Sequence, residues 1–205
     1  SLRRSGKFII GGGRLVAEIV ELKQRPNALR NEFTLQGLTQ IQAYDGKEGW
    51  QIDPFEGRKD AERMAADDVK GMAEEADLDG ALVDYRAKGH TLEYLGTEDI
   101  DGTPAHKLKL TRSNGDLQYI YLDPDQFLEI RIENQRSVRG VKQIGITDLG
   151  NYEKVAGVFW PMSLEIFQKG SSDKQVIEFE KAEVNPAVAA STFAFPTTSK
   201  SGAAP

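Results

Sequence analysis

The sequence predicts a mainly β protein built on antiparallel strands, and three observations carry that prediction. Apolar and polar residues alternate with a period of two along most of the chain. Turn residues interrupt the alternation at short intervals, and one stretch alone changes to a helical period.

The alternation is plain in five places. Leu15, Ala17 and Ile19 alternate with Val16, Glu18 and Val20, and Leu29, Phe33 and Leu35 face away from Arg30, Glu32 and Thr34. His106, Leu108 and Leu110 oppose Lys107, Lys109 and Thr111. Leu128, Ile130 and Ile132 oppose Glu129, Arg131 and Glu133, and Ile177 and Phe179 alternate with Val176, Glu178 and Glu180. A period of two with one polar side means antiparallel strands wet on one face. Lys107, Lys109, Glu129, Arg131 and Glu133 are therefore expected toward solvent, with Leu108, Leu110, Ile130 and Ile132 turned inward. Asp45-Gly46, Asp101-Gly102 and Asn114-Gly115 tolerate the positive φ of tight hairpins. Gly11-Gly12-Gly13 separates the first two strands, and Pro124 and Pro161 mark strand ends. About nine to eleven strands follow, mostly joined to their neighbours. Tyr44 to Trp50 reads as a hairpin whose aromatics pack on one face.

From Asp60 to Lys88 the period becomes helical. Ala65, Val69, Met72 and Ala76 recur at helical spacing, as do Leu78, Ala81, Leu82 and Tyr85. Asp77 suits the N-cap of a second helix, and Gly89 suits its end after Arg86 and Lys88. Two short amphipathic helices are expected here, between β-runs at 2–52 and 90–184. The segment carries Met64 and Met72, two of the chain's three methionines, a residue that fills changeable apolar surfaces. It either closes one end of the sheet core or forms a lid over an apolar cavity. Its acidic residues, Asp67, Asp68, Glu74, Glu75, Asp77 and Asp79, read as a solvated face.

With 205 residues the chain fits a single domain over 1–196, followed by a disordered tail at 197–205. The net charge of −6 weighs against a nucleic-acid partner. The absence of cysteine excludes thiolate metal sites, a cysteine nucleophile and disulfides. No apolar run approaches a membrane-spanning helix. Ser1 to Lys7 lead straight into an apolar strand without a signal-peptide pattern. His90 and His106, the two histidines, lack metal-ligand spacing, and His106 falls on the apolar side of its strand. Asp123-Pro124-Asp125 and Asp77-Leu78-Asp79-Gly80 lack the later acid of a calcium loop, so turn and cap chemistry accounts for them. Gly11-Gly12-Gly13 lacks the lysine of a phosphate loop, and no nucleophile elbow is present. The reading is non-catalytic, with no cofactor and no metal.

Several segments recur in one order in a known family. They are Gln42 to Trp50, Gly96 to Leu110, Tyr119 to Pro124 followed by Leu128-Glu129-Ile130, Gly157 to Pro161, and Val184-Asn185 with Phe193 to Pro196. Together they resemble the periplasmic outer-membrane lipoprotein-sorting proteins, the LolA/LolB-like superfamily, on a divergent branch. The resemblance implies a strongly curved, incomplete half-barrel with the helical segment at 60–88 as part of a lid. It implies a non-catalytic periplasmic carrier, with acyl lipid or lipoprotein as cargo and a membrane-associated acceptor. The alternative is an envelope sensor that reads a lipid or protein segment in the same groove. No position matches the dedicated carrier's functional arginine, and the chain starts at its first strand where family members usually have a signal peptide and a long helix. The apolar faces and stripes then nominate Phe33, Leu35, Trp50, Met64, Val69, Met72, Leu78, Leu82 and Tyr85 as cavity and lid residues.

Overall fold

The computed structural model describes residues 1–138 and 141–196; the expected tail lies outside the described residues. The strands are β1 (Leu2–Ile10), β2 (Leu15–Gln24), β3 (Ala28–Leu35), β4 (Leu38–Tyr44), β5 (Gly49–Asp53) and β6 (Arg58–Arg63). After the helix α1 (Ala66–Glu75) come β7 (Thr91–Ile100), β8 (Thr103–Thr111), β9 (Leu117–Leu122) and β10 (Glu129–Val138). The last are β11 (Val141–Val155), β12 (Val158–Gln168) and β13 (Lys174–Val184). There are more strands than the alternation reveals, partly because a strand such as β6, Arg-Lys-Asp-Ala-Glu-Arg, has almost no apolar side to alternate.

All thirteen strands belong to one sheet in the order β6-β5-β4-β3-β2-β1-β13-β12-β11-β10-β9-β8-β7. Consecutive strands joined by short turns pair antiparallel because the turns leave them side by side; β6 and β7, separated by α1, do not pair. β6 and β7 are the two edges, so the sheet stays open and never closes into a barrel. The mainly β, incomplete-barrel expectation is met. The chain clusters into two compact units: Ser1–Ser5 with Glu18–Leu78 and 183–196, and Gly6–Ala17 with Asp79–Ala182.

In the first unit α1 seats on β3 to β5. Its Met72 and Ala76 are buried with Leu29 and Tyr44, and Met64, Val69 and Ala73 pack against them. Gly49 makes the approach possible, since a Cβ there would sit 3.0 Å from both Met64 Sδ and Val69 Cγ2. Asp67 and Asp68 in the first turn complement the helix dipole. Beside this apolar seat lies a buried ion pair. Arg4 and Glu21 are each 5% exposed, with Arg4 Nη2 2.7 Å from Glu21 Oε1 and Lys23 Nζ 3.5 Å from Oε2. Burial would raise the Glu21 carboxyl, but the Arg4 and Lys23 charges outweigh it and hold it below the usual range.

The second expected helix does not form. Residues 81–89 make a run of turns, with Gly80 and Asp84 in the left-handed region at φ 77° and 51°. Asp84 interrupts the helical ladder, and a segment this short has little stability to resist that. Lys88 Nζ donates to Gly80 O at 2.7 Å and ties the run's two ends together.

In the second unit, register sorts the side chains cleanly. Lys107, Tyr121, Arg131, Asp148 and Glu165 form one row across β8 to β12, and Lys109, Tyr119, Glu133, Ile146 and Phe167 form the next. Of the five charged residues expected toward solvent, Lys107, Lys109, Arg131 and Glu133 share this side, yet none is fully exposed and Glu133 is buried. The aromatic neighbours explain it: the Lys107 ammonium lies 5.1 Å and 5.2 Å from the Tyr119 and Tyr121 rings. Burial would lower this ammonium, but Glu98 and Tyr121 push it up to about 12. Glu129 departs altogether. A bulge at Ile130 breaks the register, and Glu129 pairs with Leu122 on the opposite, apolar side.

Two predictions follow from these contacts. A Cβ at Gly6 would meet Glu178 O at 1.9 Å, so Gly6→Ala should cost about 1–3 kcal/mol in urea unfolding, because backbone must move. Arg4→Met leaves the buried Glu21 carboxylate with Lys23 as its remaining cationic neighbour and should cost about 3–5 kcal/mol at pH 7. Glu21's folded pKa lies below its ordinary 4.5, so the pair's stabilisation is present above that pH and is lost as pH falls through the lower folded value. The gap between wild type and variant should therefore shrink in unfolding curves taken below pH 4.5.

Candidate functional site

The nominated residues do not come together in one place. Met64, Val69 and Met72 come together on the α1 seat, above Leu29 and Tyr44. Phe33 and Leu35 lie on the same side of β3 as Leu29 by alternation, are half-buried, and stand outside that cluster. Leu78 is half-buried at the end of the first unit, while Leu82 and Tyr85 are half-buried in the turns of the second.

Trp50 points the other way. Tyr44 pairs with Gly49 and Ala43 with Trp50, so Trp50 sits on the face of β5 opposite α1, and the two aromatics do not pack on one side. A four-residue connection separates Tyr44 from Gly49; one residue more would have set Trp50 against Tyr44. Trp50 is 2% exposed and donates from Nε1 to Phe193 O at 2.8 Å. Phe195 meets it edge-on at 6.3 Å, and Arg30 lies over its ring at 5.5 Å. The C-terminal segment is thereby latched onto the sheet.

The second unit carries an apolar row of its own. Leu108, Ile120, Ile132, Thr147 and Ile166 form one row across β8 to β12. Leu149 and Leu164 pair beside it and adjoin Ile177. Ile120 and Ile177 are buried, but Leu108, Ile132, Leu149, Leu164 and Ile166 remain half-buried. Polar rows flank the strip. On one side are Leu110, Gln118 and Asn134, with Gln118 Nε2 donating to Asn134 Oδ1 at 2.9 Å. On the other are His106, Leu122 and Glu129. Tyr94 Oη lies 3.1 Å from His106 Nδ1, and Phe127 stacks on the His106 ring at 5.6 Å. His106 thus keeps the apolar side expected for it.

No protein-family model matches the sequence, and no curated protein matches it. Solved structures do. A LolA superfamily protein from Nitrosomonas europaea superposes with a TM-score of 0.67 at 14% identity, over 95% of this chain and 90% of that one. The chain has the LolA-type fold. A domain assigned as an outer membrane lipoprotein-sorting protein from Vibrio parahaemolyticus gives 0.63 at 10% identity, over 94% and 88% of the two chains. A DUF1329 family protein from Desulfovibrio piger gives 0.65 at 12% identity, over 94% and 89%.

Within this LolA-like fold, several residues escape a reading by alternation. Arg4 looks like a flanking charge because it stands beside Arg3 near the first residue, yet it shares a side of β1 with buried Leu2. Glu129 is hidden by the bulge, and Phe127 by its place in a turn. The Trp50 placement is directly testable. Trp50→Phe should lose the bond to Phe193 O and about 1–3 kcal/mol in thermal unfolding, while the affinity for a fluorescent fatty acid stays unchanged.

Proposed function

We propose that the protein is a non-catalytic carrier in the periplasm, binding a lipid or a lipid-modified protein. One observation carries this reading: five large aliphatic side chains on one face of the second unit, Leu108, Ile132, Leu149, Leu164 and Ile166, stay half-buried together. Apolar side chains left partly open on one face of a sheet offer a surface that an apolar ligand can cover. An acyl chain of about 15 methylenes loses roughly 12 kcal/mol of hydration penalty when such a surface covers it. The LolA-type fold, shared with a domain assigned as a lipoprotein-sorting protein, supports the same reading and the location. Cargo would be held by shape and burial, with a membrane-associated acceptor receiving it.

Lipid extracted from the natively purified protein and identified by mass spectrometry should contain a stoichiometric acylated species. Leu164→Glu places a charge in the strip, which is costly to bury. It should weaken binding of a fluorescent fatty acid at least tenfold, about 1.4 kcal/mol, while the far-ultraviolet circular dichroism remains that of a β protein. A folded variant with wild-type affinity would remove the strip from consideration.

A further inference from the structure

Three aromatic rings meet at one end of the apolar strip, and a carboxyl stands in the same row two strands from the central one. The Tyr94 and His106 rings lie 5.9 Å apart, and Phe127 stacks on His106 with planes 18° apart. Tyr94 and Phe127 nevertheless remain 58% and 61% exposed. Local geometry holds them out. Tyr94 stands on the edge strand β7 where its register shifts. Phe127 occupies a left-handed position at φ 57° in a turn fixed by Asp123, whose carboxylate accepts from the backbone N–H of Gln126, Asp125 and Leu128 at 2.9, 3.0 and 3.0 Å.

Glu129 ends the same turn. It lies in the row His106, Leu122, Glu129, two strands from the histidine and so roughly 10 Å from it. Among the described residues its carboxyl has neither a hydrogen bond nor an ion pair. Burial, with no charged neighbour contributing, pushes that carboxyl above the usual glutamate range. An unpartnered carboxyl in such surroundings is costly unless a group of opposite charge joins it. Exposed ring faces attract cations, and most favourably those that shed water easily. One carboxylate offers too few oxygens to hold a calcium or magnesium ion. An alkylammonium suits both the rings and the acid.

We propose that Tyr94, His106, Phe127 and Glu129 form a head-group site for the alkylammonium of an aminophospholipid, whose acyl chain runs along the half-buried Leu108 and Ile132. This rests on the lipid-carrier reading and names its ligand class. The rings face the cation, Glu129 accepts from its N–H groups or neutralises its charge, and the adjoining strip covers the chain.

The test is calorimetric titration of the full chain with short-chain phosphatidylethanolamine, short-chain phosphatidylglycerol and free ethanolamine. Phosphatidylethanolamine should bind roughly tenfold more tightly than phosphatidylglycerol, with free ethanolamine far weaker than either. Glu129→Gln should abolish the difference between the two lipids. Phe127→Ala, at an exposed position that does not decide folding, should reduce the difference several-fold. Equal affinity for the two lipids in the wild type would overturn the head-group assignment and leave the carrier reading standing. Binding of neither lipid would overturn both. A preference that survives Glu129→Gln would remove Glu129 from the site, and ethanolamine binding as tightly as the lipid would make the ligand a free amine.

Discussion

A strand offers each side chain only two directions, and the hydrogen-bond register decides which one it takes. In the second unit that constraint runs across β8 to β12, interrupted by one bulge in β10. It places Leu108, Ile120, Ile132 and Ile166 in one row and Lys107, Tyr121, Arg131 and Asp148 in another, back to back. The apolar strip therefore follows from pairing rather than from any single residue. It also explains why one extra residue matters so much. The bulge at Ile130 shifts the phase of β10 for Glu129 alone, moving a charge from the ion-paired side to the apolar side. Nothing on the ion-paired side loses a partner: Arg131 still pairs with Asp148 and Asp101.

The first unit meets the same constraint with different chemistry. Along β3, alternation sends Leu29, Asn31, Phe33 and Leu35 to the side that α1 covers. Polar residues on that side must find partners, and Asn31 Nδ2 does so by donating to Glu75 Oε1 on the helix at 2.9 Å. The same bond fixes the helix over the strands, while Gly49 sets how closely it can approach. Across the neighbouring pair β1 and β2, Arg4 and Glu21 are buried together. A buried ion pair is a weak source of stability compared with an apolar core, but it tolerates no shift in register.

Much of the fold was legible because antiparallel strands and tight turns leave local signatures. Asp101-Gly102 is a two-residue turn between the paired Ile100 and Thr103, with φ of 52° and 89° at its two positions. The α1 stripe was legible for the same reason, since Val69, Met72 and Ala76 recur at the helical period and pack on one seat. What failed to show was phase and competition. Trp50 and Tyr44 both look core-facing, and only the length of their connection tells that they occupy opposite faces. The stretch after Asp77 has a helical spacing too, yet Gly80 and Asp84 adopt left-handed backbone and turns replace the helix. Glu129 carried no signal at all, because a bulge is a property of pairing between strands and not of one strand's sequence.

A carrier has to hold an apolar ligand without holding it permanently, and the half-buried strip is suited to that balance. Fully buried residues such as Leu110 and Ile120 give the sheet its stability and cannot release area to a ligand. Leu108, Ile132, Leu149, Leu164 and Ile166 keep part of their surface available. Covering that remainder contributes about 25 cal/mol for each Å² removed from water, without unfolding anything to expose it. The flanking row of Gln118 and Asn134 satisfies its own hydrogen bond and so adds no competing demand on a ligand. The opposite row leaves Glu129 unpartnered beside exposed rings, so the two margins of the strip are chemically unlike. An acyl chain alone could lie along the strip in either direction. On the proposed reading, a ligand with a polar end would meet one satisfied margin and one unsatisfied margin, and that asymmetry would favour a single orientation.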